Sequence, residues 1–302
     1  MQIIKKNFPQ DYPEQYLAVI YAMSLTNTKN IYIEGTYSLR GFLYPSDVDC
    51  FEKVETHFRT LNEAKQNIKT KLQDMIQRIA KMKNIIIGKI SIGIKDEKPM
   101  KWTPFEVLKG SKNKINILDA IAEPSLIKID VIAYINSIYI DFSTTYQFFN
   151  NKTPINDFKL FQTESLDRDI KEYEKEGNYF KMAKRLFIKT KNKELLELFN
   201  GEDGLINQVI SNIDTLMYIV ENRQKIPFKN ISSEIDGFIN KINLLDNKTL
   251  VKDSDNIDML LRQAENSTVR KTIINKLNTL RTKFDKIVQS DSKEYLKELK
   301  IL

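Results

Sequence analysis

The sequence predicts an α+β fold: a small mixed sheet with flanking helices, followed by a mainly helical C-terminal half. Three observations predict it. Short β-branched and aromatic runs bounded by turn residues fall before residue 150, helical periodicity dominates after it, and the turn-rich stretch Asn150-Asn151-Lys152-Thr153-Pro154 separates the two. The expected domains are 1–150 and 151–302.

In chain order, Pro13 to Leu25 reads as a leading helix and Ile31 to Ile33 as a short buried strand. A short helix is expected at Tyr37 to Leu43 and a strand at Ser46 to Phe51. Val54, Phe58, Leu61, Ile68, Leu72, Ile76, Ile79 and Met82 form a helical stripe, which predicts a long helix from Val54 to Met82. Strands follow at Asn84 to Ile94, Ile127 to Ile135 and Ile138 to Ser143, the last two joined as a hairpin at Asn136-Ser137. Beyond the boundary, helices are expected at Leu166 to Thr190, Glu194 to Phe199, Leu205 to Asn222, Ser233 to Leu245, Asn256 to Glu265 and Thr268 to Gln289.

Composition narrows the class. A chain of 302 residues with 41% hydrophobic content can bury a sizeable core. Cys50 is the single cysteine, which excludes a disulfide framework and points to a reducing compartment. No apolar run is long enough to span a bilayer, and Met1-Gln2-Ile3-Ile4-Lys5-Lys6 lacks the apolar core of a signal peptide, so an intracellular protein without a membrane partner is expected. The net charge of +7 and pI of about 9.1 favour a polyanionic partner.

The chemistry concentrates around Asp47 and Asp49. On a strand, the period of two puts both carboxylates on one face and Val48 and Cys50 on the other. Such a pair is a natural clamp for a hard divalent cation, which takes carboxylate oxygens and keeps positions open for water and phosphate. Upstream, Gly35 permits a tight bend with close backbone approach, and Ser38 offers a hydroxyl near a helix start, where N–H groups favour anions. Downstream, Asp130 sits inside the apolar run Ile127 to Ile135, a position that packing explains poorly. Asp141, on the following strand, competes with it as a third carboxylate.

The glycine turn Gly35-Thr36-Tyr37-Ser38, the spacer from Tyr37 to Ser46 and Asp47-Val48-Asp49-Cys50 resemble the signature of the DNA polymerase beta-like nucleotidyltransferase superfamily. Thr36 departs from it by standing where the family usually has Gly or Ser, though it keeps a hydroxyl. A closer resemblance, to the poly(A) polymerase catalytic subunits of large cytoplasmic DNA viruses, rests on Ile85 to Ile94, Lys101 to Gly110, Ile127 to Tyr134 and Tyr179 to Phe187.

The resemblance implies a poly(A) polymerase-like enzyme that transfers AMP from ATP to an RNA 3′ end without a template. Asp47, Asp49 and Asp130 would be the catalytic residues and the ligands of two magnesium or manganese ions. The Lys128-Ile129-Asp130 setting is the reason to prefer Asp130. Gly35, Thr36 and Ser38 would position the phosphates, and Lys184 or Arg185 would neutralise the leaving group. Lys181 and Lys189 join them in a cationic stretch without acids, a candidate RNA contact. The resemblance also implies a viral protein acting in the cytoplasm, in a viral factory or virion, with a homodimer or a processivity subunit as partner.

Alternatives stay open: transfer to tRNA, a protein or a small molecule, or a non-catalytic RNA-binding subunit with the same fold. His57 has no neighbouring Cys or His to make a zinc site. Trp102, Tyr146, Phe148 and Phe149 read as packing residues.

Overall fold

The computed structural model describes residues 14–26, 31–34, 47–56, 61–82, 85–94, 100–102, 127–135, 138–150, 153–154, 161–222, 228–246, 248–254, 257–262 and 267–302. The chain forms two compact units, one of residues 1–34, 48–135 and 139–157, the other of residues 35–47, 136–138 and 158–302.

The sheet contains β1 (Ile31–Glu34), β2 (Asp47–Thr56), β3 (Ile86–Ile94), β4 (Met100–Trp102), β5 (Ile127–Ile135), β6 (Ile138–Asn150) and β7 (Thr153–Pro154). Its order is β1-β2-β6-β5-β3-β4, with β7 on β6. Helix α1 (Glu14–Met23) precedes the sheet and α2 (Leu61–Ala80) connects β2 to β3. The α+β expectation holds, and the β5 strand falls where the β-branched run predicts it.

The long-helix expectation needs correction. Strand β2 continues to Thr56, and α2 begins only at Leu61. The period-two burial of Val48, Cys50, Glu52 and Val54 carries the strand past the point where helical spacing placed its end. Strand β6 likewise runs to Asn150 rather than ending at Ser143, with Tyr146 fully buried in it. The side chains of Trp102, Phe148 and Phe149, the residue His57 and the expected helix at Tyr37 to Leu43 lie outside the described residues.

The buried face of the sheet is closed by a polar node. Glu52, with no solvent exposure, accepts hydrogen bonds from Ser24 Oγ (2.7 Å), the Leu25 amide (2.6 Å), Thr26 Oγ1 (2.6 Å) and Thr144 Oγ1 (2.8 Å). Arg78 of α2 donates to the carbonyl oxygens of Ala22, in the last turn of α1, and of Ser24, just beyond it. These bonds satisfy helix-end carbonyls that would otherwise be orphaned, and tie α1, α2, β2 and β6 together.

The helical unit comprises α3 (Phe161–Glu176), α4 (Tyr179–Thr190), α5 (Leu195–Asn200), α6 (Glu202–Asn222), α7 (Phe228–Ile242), α8 (Lys248–Ser254), α9 (Ile257–Arg262) and α10 (Ser267–Glu298). The single helix expected from Leu166 to Thr190 is two. Gly177, at φ +72°, takes the left-handed conformation that ends α3, and the side chain of Asn178 caps α4 by accepting from the Lys181 amide. Phe180, Phe187 and Phe199 pack edge-on, with ring centroids 5.4 and 6.1 Å apart. Between α5 and α6 the backbone passes so closely that a Cβ on Gly204 would lie 1.8 Å from the Phe199 carbonyl oxygen. Helix α8 had no counterpart in the sequence expectations, and α10 runs past Gln289 to Glu298.

Candidate active site

Two hydrogen bonds fix which strand faces belong together. Thr144 Oγ1 bonds Glu52 Oε1, so buried Val48, Cys50, Glu52 and Val54 of β2 share one sheet face with buried Phe142, Thr144 and Tyr146 of β6. Ser143 Oγ donates to Asp130 Oδ1, which joins Asp141 and Ser143 of β6 to Lys128 and Asp130 of β5 on the opposite face. By strand alternation Asp47 and Asp49 belong to that second face. The sheet therefore carries Asp47, Asp49, Asp141 and Asp130 on one side and its hydrocarbon core on the other.

Position along the sheet separates the two candidates for the third carboxylate. Strand β6 adjoins β2, and β5 lies one strand beyond it. At a spacing of about 4.8 Å per strand, β5 is about 10 Å from β2. Asp141 therefore lies on the strand next to that of Asp49, and Asp130 one strand further away.

Asp130 is held differently. Its Oδ1 accepts from Ser143 and has Lys128 Nζ at 3.0 Å, and in register it faces Ser91 of β3. Tyr139 OH lies 3.5 Å from Asp141 Oδ2, at the outer limit of a hydrogen bond. Among the described residues no three acid, histidine or cysteine side chains converge closely enough to hold one metal ion. The donor set on the face is all carboxylate oxygen, the chemistry that magnesium or manganese selects.

Asp47 groups with the helical unit, and within that unit Lys184 Nζ stands 4.0 Å from its Oδ1. The Lys184 side chain is 18% exposed and packs its ammonium 5.5 Å from the centre of the Phe180 ring. A cation that is mostly withdrawn from solvent beside a half-exposed carboxylate is an arrangement that sequence spacing suggested only as a basic helix face.

The remaining cations of α4 are engaged. Arg185 Nε lies 3.4 Å from Asp169 Oδ2, Lys189 Nζ lies 2.6 Å from Asp167 Oδ1, and Lys181 Nζ sits 5.8 Å from the centre of the Tyr173 ring. All three partners belong to α3, so the basic run laces two helices together. Gly35, Thr36 and Ser38, the expected phosphate turn, lie outside the described residues.

Comparison with solved structures gives the class: the chain has a nucleotidyltransferase fold. A Megaviridae ORFan protein described as a new nucleotidyl transferase superimposes with a TM-score of 0.67 at 16% identity, over 96% of this chain and 91% of that one. The Mg662 protein of M. chilensis, solved in complex with GTP, gives 0.66 at 14% identity, over 94% and 92%. In sequence, the chain is 28% identical over 204 residues to the uncharacterized protein V21 of the Sputnik virophage. That match spans 57% of this chain and less than half, 46%, of V21. No protein-family model matches the chain. The similar proteins are viral, and closeness to viral poly(A) polymerases in particular finds no counterpart among them. No helix among the described residues is long and apolar enough to cross a membrane.

Proposed function

We propose that the protein is a metal-dependent nucleotidyltransferase that adds AMP from ATP to RNA 3′ ends. The observation that carries the proposal is the acidic sheet face, Asp47 and Asp49 on β2 with Asp141 on the adjoining strand, in a nucleotidyltransferase fold. Asp47 and Asp49 hold the magnesium or manganese, and Asp141 is the third carboxylate in preference to Asp130. The metal, when bound, supplies positive charge to the triphosphate and lowers the pKa of the attacking hydroxyl. Asp141 orients that hydroxyl and accepts its proton. Attack of the hydroxyl oxygen on the α-phosphate breaks its bond to pyrophosphate, Asp47 and Asp49 would act by holding the cation there, and Lys184 would neutralise charge on the departing pyrophosphate. Gly35, Thr36 and Ser38 cradle the phosphates, and the protein works in the cytoplasm with a second copy or a processivity subunit.

The competing reading is transfer to a protein or small-molecule acceptor. It is favoured by the pairing of Arg185 and Lys189 with Asp169 and Asp167, which offsets two positive charges of α4 with acids of α3. The donor is equally open to test, because the M. chilensis protein was solved with GTP.

The decisive experiment extends a labelled, unstructured RNA with each NTP separately in magnesium and in manganese, using the wild type and the Asp47→Asn, Asp49→Asn double variant. An ATP ladder absent from the variant supports the proposal. A ladder with GTP alone would replace the donor. Labelling of a protein or small molecule without RNA extension would transfer the function to the competing reading.

A further inference from the structure

The first turn of α4 is capped twice. Asn178 takes the Lys181 amide, and the Phe180 amide donates at 3.1 Å to Oε1 of Gln289, a residue 109 positions away on α10. These are two of the N–H groups that a helix leaves without an intrahelical acceptor at its start. Gln289 is itself oriented, because its Nε2 donates at 3.0 Å to Asp285 Oδ1 one turn earlier on α10, which leaves Oε1 for α4. One turn later, Lys293 Nζ lies 5.2 Å from the centre of the Tyr179 ring, so Gln289 and Lys293, four residues apart, both meet the start of α4.

The residue held by the distant cap is the one beneath the site lysine. The Phe180 ring is buried and edge-on to Phe199 at 5.4 Å. Lys184, four residues further along α4, leans back toward the helix start, with its ammonium 5.5 Å from the ring centre and 4.0 Å from Asp47 Oδ1. A lysine ammonium ends a flexible four-carbon stem, so the groups it rests against define where it stands. We propose that Gln289 is a positioning residue: by holding the Phe180 amide it fixes the ring under Lys184, and so the place from which the ammonium meets the departing pyrophosphate. The inference rests on the role given to Lys184 above. Without the cap, a part-buried N–H loses its acceptor and the first turn of α4 frays beneath the ring.

The test compares wild type, Gln289→Leu, Lys184→Met, the two combined, and a swap, Asp285→Asn plus Gln289→Glu. The swap keeps the net charge, the acceptor for Phe180 and a donor for residue 289. In steady-state incorporation, Gln289→Leu should lower kcat by about tenfold with the nucleotide KM changed less than about twofold, and the swap should recover activity to within about threefold of wild type. In the Lys184→Met background, Gln289→Leu should cost less than about twofold more, because its effect passes through the ammonium. A full tenfold loss in that background would overturn the inference, since a purely structural defect would act there too. The second readout needs no turnover: in protein carrying lysine labelled with carbon-13 at Cε, the Lys184 resonance, assigned by its absence from Lys184→Met, should shift in Gln289→Leu and return in the swap. A Lys184 resonance unmoved by Gln289→Leu would overturn the inference. Failure of the RNA-acceptor reading is separately visible as a wild type that extends no RNA, and the resonance still decides the role of Gln289.

Discussion

Strand β2 carries carboxylates on both faces, and they are used in opposite ways. Glu52 points into the core, has no solvent exposure and accepts four hydrogen bonds from the turn after α1 and from β6. Asp47 and Asp49, on the other face, are partly exposed. A buried carboxylate is tolerable only when its lone pairs are filled, and filling them fixes geometry. A pair on a rigid strand that keeps partial exposure stays within reach of solvent and of a ligand from it. The same strand is thus anchored by one acid and equipped by two, and substitution should separate the roles cleanly.

The largest effect is expected on activity. Asp49→Asn should lower nucleotide incorporation by about a thousandfold or more, since it removes a negative charge that would hold the metal, with thermal stability little changed. Glu52→Gln should do the reverse at the level of the fold. It turns an acceptor into a donor facing the donors Ser24, Leu25 and Thr26, and should cost about 3 kcal/mol or more. Urea unfolding and steady-state incorporation, measured on both variants, check the separation. An Asp49→Asn protein that is strongly destabilised but active would break it.

Next in size is the contest between the neighbours Asp141 and Asp130. Asp141→Asn should reduce incorporation by about a hundredfold, whereas Asp130→Asn should cost less than about tenfold, because Asp130 is already held by Ser143 and Lys128. Initial rates under saturating nucleotide would settle the order, and a larger loss at Asp130 would return the third-carboxylate role to β5.

How much of this was legible in the sequence depends on range. The acid pair, the buried side of Cys50 and the β5 strand follow from local alternation, and the structure keeps them. Glu52 gave no signal, because its partners Ser24 and Thr144 lie 28 and 92 residues away. The preference for Asp130 came from the apolar run and the Lys128-Ile129-Asp130 setting around it, and nothing local shows that β6 inserts between β2 and β5. The pairing of the α4 cations with acids of α3 was hidden for a related reason. Were Leu166 to Thr190 one helix, Asp169 and Arg185 would be about 24 Å apart along it. The left-handed Gly177 folds α3 against α4 and brings them to 3.4 Å.

A pH-dependent effect distinguishes the helical unit from the sheet. Burial, then Asp291 and Glu202, push the Asp203 carboxyl up to about 7. Its proton is retained in the folded chain and released in the unfolded chain between about pH 4 and 7, so this group's contribution to stability falls as pH rises through that window and is level above it. Asp203→Asn should flatten that slope and raise stability at pH 8 by about 1 kcal/mol, a figure reduced for partial solvent exposure. Melting from pH 4.5 to 8 measures it, and a wild-type slope that survives the substitution would assign the effect elsewhere.

The smallest effect returns to the node beneath the sheet. Tyr146 is fully buried, its hydroxyl has no hydrogen-bond partner among the described residues, and burial together with the nearby Glu52 raises its pKa. Three hydroxyls and an amide already fill the Glu52 carboxylate, so the phenol is left over rather than recruited. Removing an unsatisfied buried hydroxyl leaves the ring packing intact and discards a desolvation penalty. Tyr146→Phe should therefore be neutral or more stable by up to about 1 kcal/mol in urea unfolding, with incorporation unchanged. A loss of more than about 1 kcal/mol would mean that the hydroxyl shares the Glu52 network, and that the anchor of β2 has a fifth donor.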